Sequence, residues 1–173
     1  MRADAERNRA LIGAAALRLF SRHGADVSME RIAREAGVAV GTLYRHFPDR
    51  NALVHAIAAD TLRDLLVHAR EAAGRDEPRR RSLIEIVEYC THLPLALVAT
   101  LTATPVADPE VMGLQREVDA LLEQVIGHAQ EEGDLRRDLT ATEILTLVKV
   151  MVCRADARPD DPLTVVILAG LAP

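Results

Sequence analysis

Thr42, Tyr44, Arg45 and His46 place two hydroxyls, a guanidinium and an imidazole within one short stretch, GTLYRHF. Leu43 and Phe47, four positions apart, supply the apolar side of a helix turn, so the four polar groups are left facing outward. Such a cluster suits phosphate oxygens and base edges: hydroxyls and imidazole donate to phosphate, and a guanidinium can pair with guanine through two bonds. Val40 at the start of the same helix can touch a thymine methyl.

The elements that must hold this cluster lie in residues 27–47, VSMERIAREAGVAVGTLYRHF. Ser28 is a candidate N-cap, its hydroxyl accepting from an orphan amide in the first turn. Ile32, Ala33 and Ala36 recur at helical spacing, and Gly37 follows where a left-handed residue ends a helix. Val38 turns inward, and a second helix runs from about Val40 to Phe47. Helices this short are not stable alone and must pack on a support. Two helices joined by a tight glycine turn form a helix-turn-helix, whose second helix enters the major groove of DNA. The alternative, a hairpin that only packs in a core, would leave Tyr44, Arg45 and His46 without purpose. The support is a helix over residues 5–23, with Leu11, Ile12, Ala15, Ala16, Leu19 and Phe20 on one stripe and Gly24 at its end. Arg7 and Arg9 on that helix are either solvated charges or contacts to flanking phosphate.

The run GVAVGTLYRHFPDRNAL resembles the DNA-binding signature of the TetR family of transcriptional regulators, and the resemblance covers residues 9–53. It implies an all-α fold, with a three-helix DNA-binding domain over residues 1–50 and a helical effector-binding and dimerisation domain over residues 51–173. It further implies a homodimer on a pseudo-palindromic double-stranded operator. The residues expected at the DNA are Ser28, Val40, Thr42, Tyr44, Arg45, His46 and Arg50. Arg50 stands where the family carries a basic residue against phosphate, at the start of a helix whose free amides also suit an anion. One position departs from the pattern: Ala39 replaces the Ser or Thr that caps the recognition helix, at a cost of about 1 kcal/mol.

The charge distribution agrees with a reader joined to a separate body. The net charge is −5, yet residues 1–50 carry +3 and residues 51–173 carry −8. Lys149 is the one lysine, so the basic groups are otherwise arginines, which reflects either the composition of the source genome or a preference for two-bond contacts. Apolar residues make up 49%, enough for a packed core, and no apolar run approaches the roughly 18 residues that span a bilayer. The charged N-terminal residues do not read as a signal peptide, so a cytoplasmic location is expected. Cys90 and Cys153 lack metal-ligand spacing and read as thiols in a reducing compartment.

Beyond the signature, Pro48 breaks the chain and a fourth helix is expected over residues 50–73. Residues 74–81, GRDEPRRR, read as a connection, and a fifth helix is expected from Ser82, ending at Pro94. Its stripe is Leu83, Ile86, Val87, Cys90, Leu93 and Leu97. Glu85, Glu88 and His92 fall on the opposite side and face water, which argues against a metal or acid–base site. A short helix is read near residues 94–101 and turns over residues 100–109. Residues 110–132 form a helix stopped by Gly133, and Thr140 caps a helix over residues 141–154. That helix and a last one, over residues 162–171, are apolar nearly all round and require burial against a second copy. Ile144, Val148, Met151, Val166 and Leu168 are the expected interface.

The chain therefore reads as a homodimeric regulator, a repressor released by a small, largely apolar ligand. With Tyr89 the lone aromatic of the C-terminal body, an aromatic cage for cations is excluded. The expected polar contacts to the ligand are Tyr89, Cys90, His92 and Lys149, with Thr91. Lys149 also reads as a salt-bridged or snorkelling charge. A dimeric regulator without an effector is the alternative. A helical enzyme is a third class, for which no nucleophile–base pair or metal set is visible, and no cofactor is implied.

Overall fold

The computed structural model describes residues 2–24, 26–102 and 108–173. Among the described residues the chain forms helices and no strands, in the order α1 Arg2–His23, α2 Met29–Ala36, α3 Val40–His46, α4 Arg50–Ala73, α5 Arg79–His92, α6 Leu95–Thr102, α7 Pro109–Glu132, α8 Ala141–Val152 and α9 Pro162–Gly170. The all-α expectation holds. None of these helices is long and apolar enough to cross a membrane.

Side-chain caps and glycines set most of the helix ends. Ser28, Asp49, Asp108, Thr140 and Asp161 each accept from a first-turn amide of α2, α4, α7, α8 and α9. Thr140 and Glu143 cap one another reciprocally. Gly37 (φ 70°) and Gly133 (φ 83°) adopt the left-handed conformation and close α2 and α7 with paired hydrogen bonds back to the last turn.

Two apolar clusters organise the packing. The first joins Ile12, Phe20, Ile32, Leu43 and Phe47 with Leu53–Ala58 of α4 and Val98 of α6. The second begins at Leu62 and gathers α4, α5, α7, α8 and the end of α9. The clusters part within α4, so this 24-residue helix belongs to both. Its far end packs on α5 and α7, with α8 laid beside α7 and α9 beside α8.

Three expectations change. The fifth helix starts at Arg79, not Ser82, because Pro78 occupies its N-cap and the Arg79 amide is satisfied by Glu132 of α7. Helix α6 extends through Thr102 into the expected turn region, of which residues 103–107 lie outside the described residues. The third concerns the last two helices. Ile144, Val148 and Met151 are fully buried inside the chain's own second cluster, and Leu168 is half-buried against it. The first three are thereby covered within one chain, whereas Leu168 keeps part of its surface. The exposed apolar face instead carries Leu147 and Val150 on α8 and Leu163, Val165 and Val166 on α9, with Val150 59% and Val166 66% exposed.

Candidate nucleic-acid interface

The recognition helix is seated from below. Leu43 and Phe47 are buried against α1, α2 and the start of α4. That anchoring leaves Val40, Tyr44 and Arg45 exposed and Thr42 and His46 half-buried at the edge. The sequence-derived cluster is therefore left outside the core. Ala39 precedes α3 in the extended backbone of an N-cap (φ −65°, ψ 142°) but offers no side-chain bond, so the first turn is uncapped. Arg45 Nε donates to the Gly41 carbonyl at 3.2 Å, which lays the side chain along its own helix. The His46 ring is tilted against Phe47 with centroids 6.3 Å apart. The Arg9 guanidinium lies over the Phe47 ring, 5.0 Å from its centroid, and so brings a cation from α1 to the end of α3.

Ser28 caps its helix as expected, and Arg50 departs from expectation. Ser28 is exposed, but its hydroxyl already accepts the Arg31 amide as the cap of α2. Arg50 turns inward: Nη1 donates to the Val27 carbonyl at 2.6 Å, Cζ lies 5.1 Å from the Phe20 ring centroid, and Nη2 is buried without a hydrogen-bond partner. This geometry makes Arg50 a brace between the start of α4 and the segment that leads into α2. Sequence reasoning missed Glu30, which stands on the same surface. The Tyr44 hydroxyl donates to Glu30 Oε1 at 3.3 Å. The Glu30 carboxyl is held below its ordinary range by its own backbone amide, then by the Ser28 hydroxyl and Tyr44. The Tyr44 phenol is pushed up by desolvation and by the Glu30 charge.

The expected ligand contacts are each engaged within the chain or face water. Tyr89 stacks on His68 with centroids 3.9 Å apart, Cys90 is buried in the second cluster with its thiol pushed up to about 12 by burial, and His92 is exposed with its ring against the Glu88 carbonyl. Lys149 pairs with Asp119 at 2.6 Å, the salt-bridged reading of that residue. None of these four side chains lines the cavity described next. A cavity of about 360 Å³ opens between the end of α1 (Phe20, Ser21, Gly24), the α5–α6 corner with Thr91, Leu97 and Thr100, and the end of α8 with Val152 and Arg154. Its wall draws on three stretches of chain, residues 20–24, 91–100 and 152–157. Of the residues singled out as ligand contacts from sequence, Thr91 alone is part of it. Among the described residues, no group of three or more His, Cys, Asp and Glu is placed to hold a metal.

Residues 12–57 match the family model for bacterial regulatory proteins of the tetR family. HTH-type transcriptional regulators of Staphylococcus aureus are 40% identical over 72 residues, a match that covers 41% of this chain and only 39% of theirs. A TetR transcription regulatory protein from Mycobacterium vanbaalenii is similar throughout, with a TM-score of 0.73 and 30% identity over 99% of both chains. A TetR transcriptional regulator from Streptomyces coelicolor gives a TM-score of 0.67 and 28% identity, over 95% of this chain and 98% of its own. The helix-turn-helix geometry and a similarity that runs the length of both chains lead to one conclusion: the chain belongs to the TetR family and is a DNA-binding transcriptional regulator.

Proposed function

We propose that this regulator is a homodimeric repressor that leaves a pseudo-palindromic operator when a small, largely apolar ligand binds. Residues 1–50 read the DNA and residues 51–173 pair the subunits and sense the ligand. The observation that carries the reading is the exposed apolar face of α8 and α9, Leu147 and Val150 beside Leu163, Val165 and Val166. A single copy leaves that face in water, whereas a two-fold pairing buries it and fixes the distance between two recognition helices. In this reading Tyr44, Thr42, His46 and Ser28 position the helix on phosphates, Arg45 reads guanine, and Val40 meets a thymine methyl. The ligand acts by favouring a subunit spacing that no longer matches successive major grooves.

Titration of the full-length protein into labelled DNA from its own upstream region, at low salt, tests this. A shift with two chains per site, reversed by a small-molecule extract, is expected. Arg45→Ala is expected to cost about 1–3 kcal/mol and to relax specificity at one base pair. Failure to bind any upstream segment at low salt would end the repressor reading. Binding that no extract reverses would favour a regulator with no effector.

A further inference from the structure

We propose that the cavity beside Phe20 is the effector site, that it takes a neutral, mainly apolar molecule carrying a hydrogen-bond donor, and that its occupancy reaches the DNA through Phe20, Arg50 and Val27. This rests on the ligand-released reading above and assigns its site, ligand chemistry and route.

The volume, about 360 Å³, suits a small molecule. The polar groups of the wall define what enters. Ser21 donates to the Leu17 carbonyl at 2.9 Å, Thr91 to Glu88 at 2.7 Å and Thr100 to Ala96 at 2.9 Å. Each hydroxyl proton is committed to its own helix, so each presents lone pairs and asks for a donor. Arg154 is the charged residue of the wall, and its head is already matched: Nη2 meets Asp161 at 2.7 Å, Nη1 faces Asp156 at 3.6 Å, and Nε donates to the Met151 carbonyl. A carboxylate ligand would have to displace those partners, and among the described residues the wall offers no acid to a cation.

Phe20 connects this site to the helix-turn-helix. One side of the residue borders the cavity, and its ring also carries the Arg50 guanidinium. Arg50 in turn holds the Val27 carbonyl, one residue before the Ser28 cap of α2. With Nη2 buried and unpartnered, the orientation of Arg50 depends on the ring and that carbonyl. A ligand that displaces Phe20 removes one of the two contacts, and the start of α4 is freed to move against α2 and the recognition helix.

The test uses 1-octanol and octanoate as probes, with calorimetry on the full-length protein and anisotropy of its labelled upstream DNA. We expect 1-octanol to bind at one per chain and to weaken DNA binding about tenfold or more. Octanoate, with the same chain and a charge, is expected to bind at least about tenfold more weakly. Ala96→Phe fills the cavity from α6, and Ala155→Phe fills it from an exposed rim that tolerates change; in either, 1-octanol binding is lost. Arg50→Lys keeps the charge and loses the stacked plane, so 1-octanol still binds but DNA affinity no longer responds. Absent 1-octanol binding, binding that survives filling in a folded variant, octanoate binding as tight as the alcohol, or a full response in Arg50→Lys would each overturn the proposal. If the wild type ignores all upstream DNA, the repressor reading and the route fall together, and calorimetry still judges the site by itself.

Discussion

The Tyr44 hydroxyl and the Glu30 carboxylate share a 3.3 Å hydrogen bond that ties the exposed face of α3 to the first turn of α2. This places a fixed negative charge among the groups offered to DNA. Its lowered carboxyl pKa keeps it ionised near neutrality. Phosphates must approach against it, and Tyr44 cannot donate to both. Glu30→Gln retains an acceptor for Tyr44 and removes the repulsion. Affinity for all DNA sequences is expected to rise roughly threefold at low salt, with the gain shrinking as salt is raised. Anisotropy titrations across a salt series check this, and an unchanged affinity at low salt would place Glu30 away from the phosphates.

The sequence made the helix punctuation legible because the signals are local. Gly37 and Gly133 end their helices, and Ser28 and Thr140 cap theirs, as their residue types dictate. The recognition cluster was legible for the same reason: Leu43 and Phe47 are four apart, and the remaining side chains of α3 have one side left. What failed depended on partners distant in sequence. The start of α5 is secured by Glu132, 53 residues beyond Arg79. On α8, Ile144, Val148 and Met151 are as apolar as Leu147 and Val150, and packing on α7, α5 and α9 decides which are buried. The inward turn of Arg50 depends on a carbonyl at Val27 that no spacing rule identifies. The cavity is assembled from three stretches far apart in sequence, so no single one announces it.

Ala39 already has the backbone conformation of an N-cap and lacks only the oxygen. Ala39→Ser is therefore expected to stabilise the chain by about 1 kcal/mol, or roughly 2–4 °C in Tm. Because the added hydroxyl also lies at the start of the recognition helix, DNA affinity is expected to rise with it. Thermal unfolding followed by circular dichroism decides the first part; no change in Tm would mean that α3 frays without limiting the stability of the whole.

Asp161 collects the ends of two elements. Its carboxylate accepts from the Thr164 hydroxyl at 2.7 Å, the Arg158 amide at 3.0 Å and Arg154 at 2.7 Å, while also capping α9. The Thr164 hydroxyl first, then the Arg158 amide and Arg154, hold its carboxyl far below the usual carboxylate range. A depressed folded pKa contributes stability that is complete above the unfolded value, about 3.9, and is lost as pH falls from there toward the folded value. Asp161→Asn is expected to be less stable than wild type at pH 7, with the gap closing below about pH 4. Urea midpoints measured between pH 7 and acid test the sign: a gap that widens in acid would contradict it.

The exposed strip on α8 and α9 and the buried strip beside it make opposite predictions for the same substitution. Val150 and Val166 are 59% and 66% exposed, so a glutamate at either keeps its hydration in the free chain. In a dimer that buries the strip, two copies of the new carboxylate meet near the two-fold axis without a partner. Val150→Glu combined with Val166→Glu is expected to give a folded monomer with native helix content and weakened operator binding. Ile144 is 0% exposed within its own chain. Ile144→Glu buries an unpaired charge there and is expected to cost about 3–5 kcal/mol, unfolding the chain before it reports on assembly. Sedimentation with circular dichroism separates the two outcomes. A wild type that sediments as a monomer, or a double variant that remains dimeric, would remove this face from the subunit contact. Mixing the double variant with wild type adds a further check, since the monomer should not compete for the operator if DNA binding requires two recognition helices held at a fixed separation.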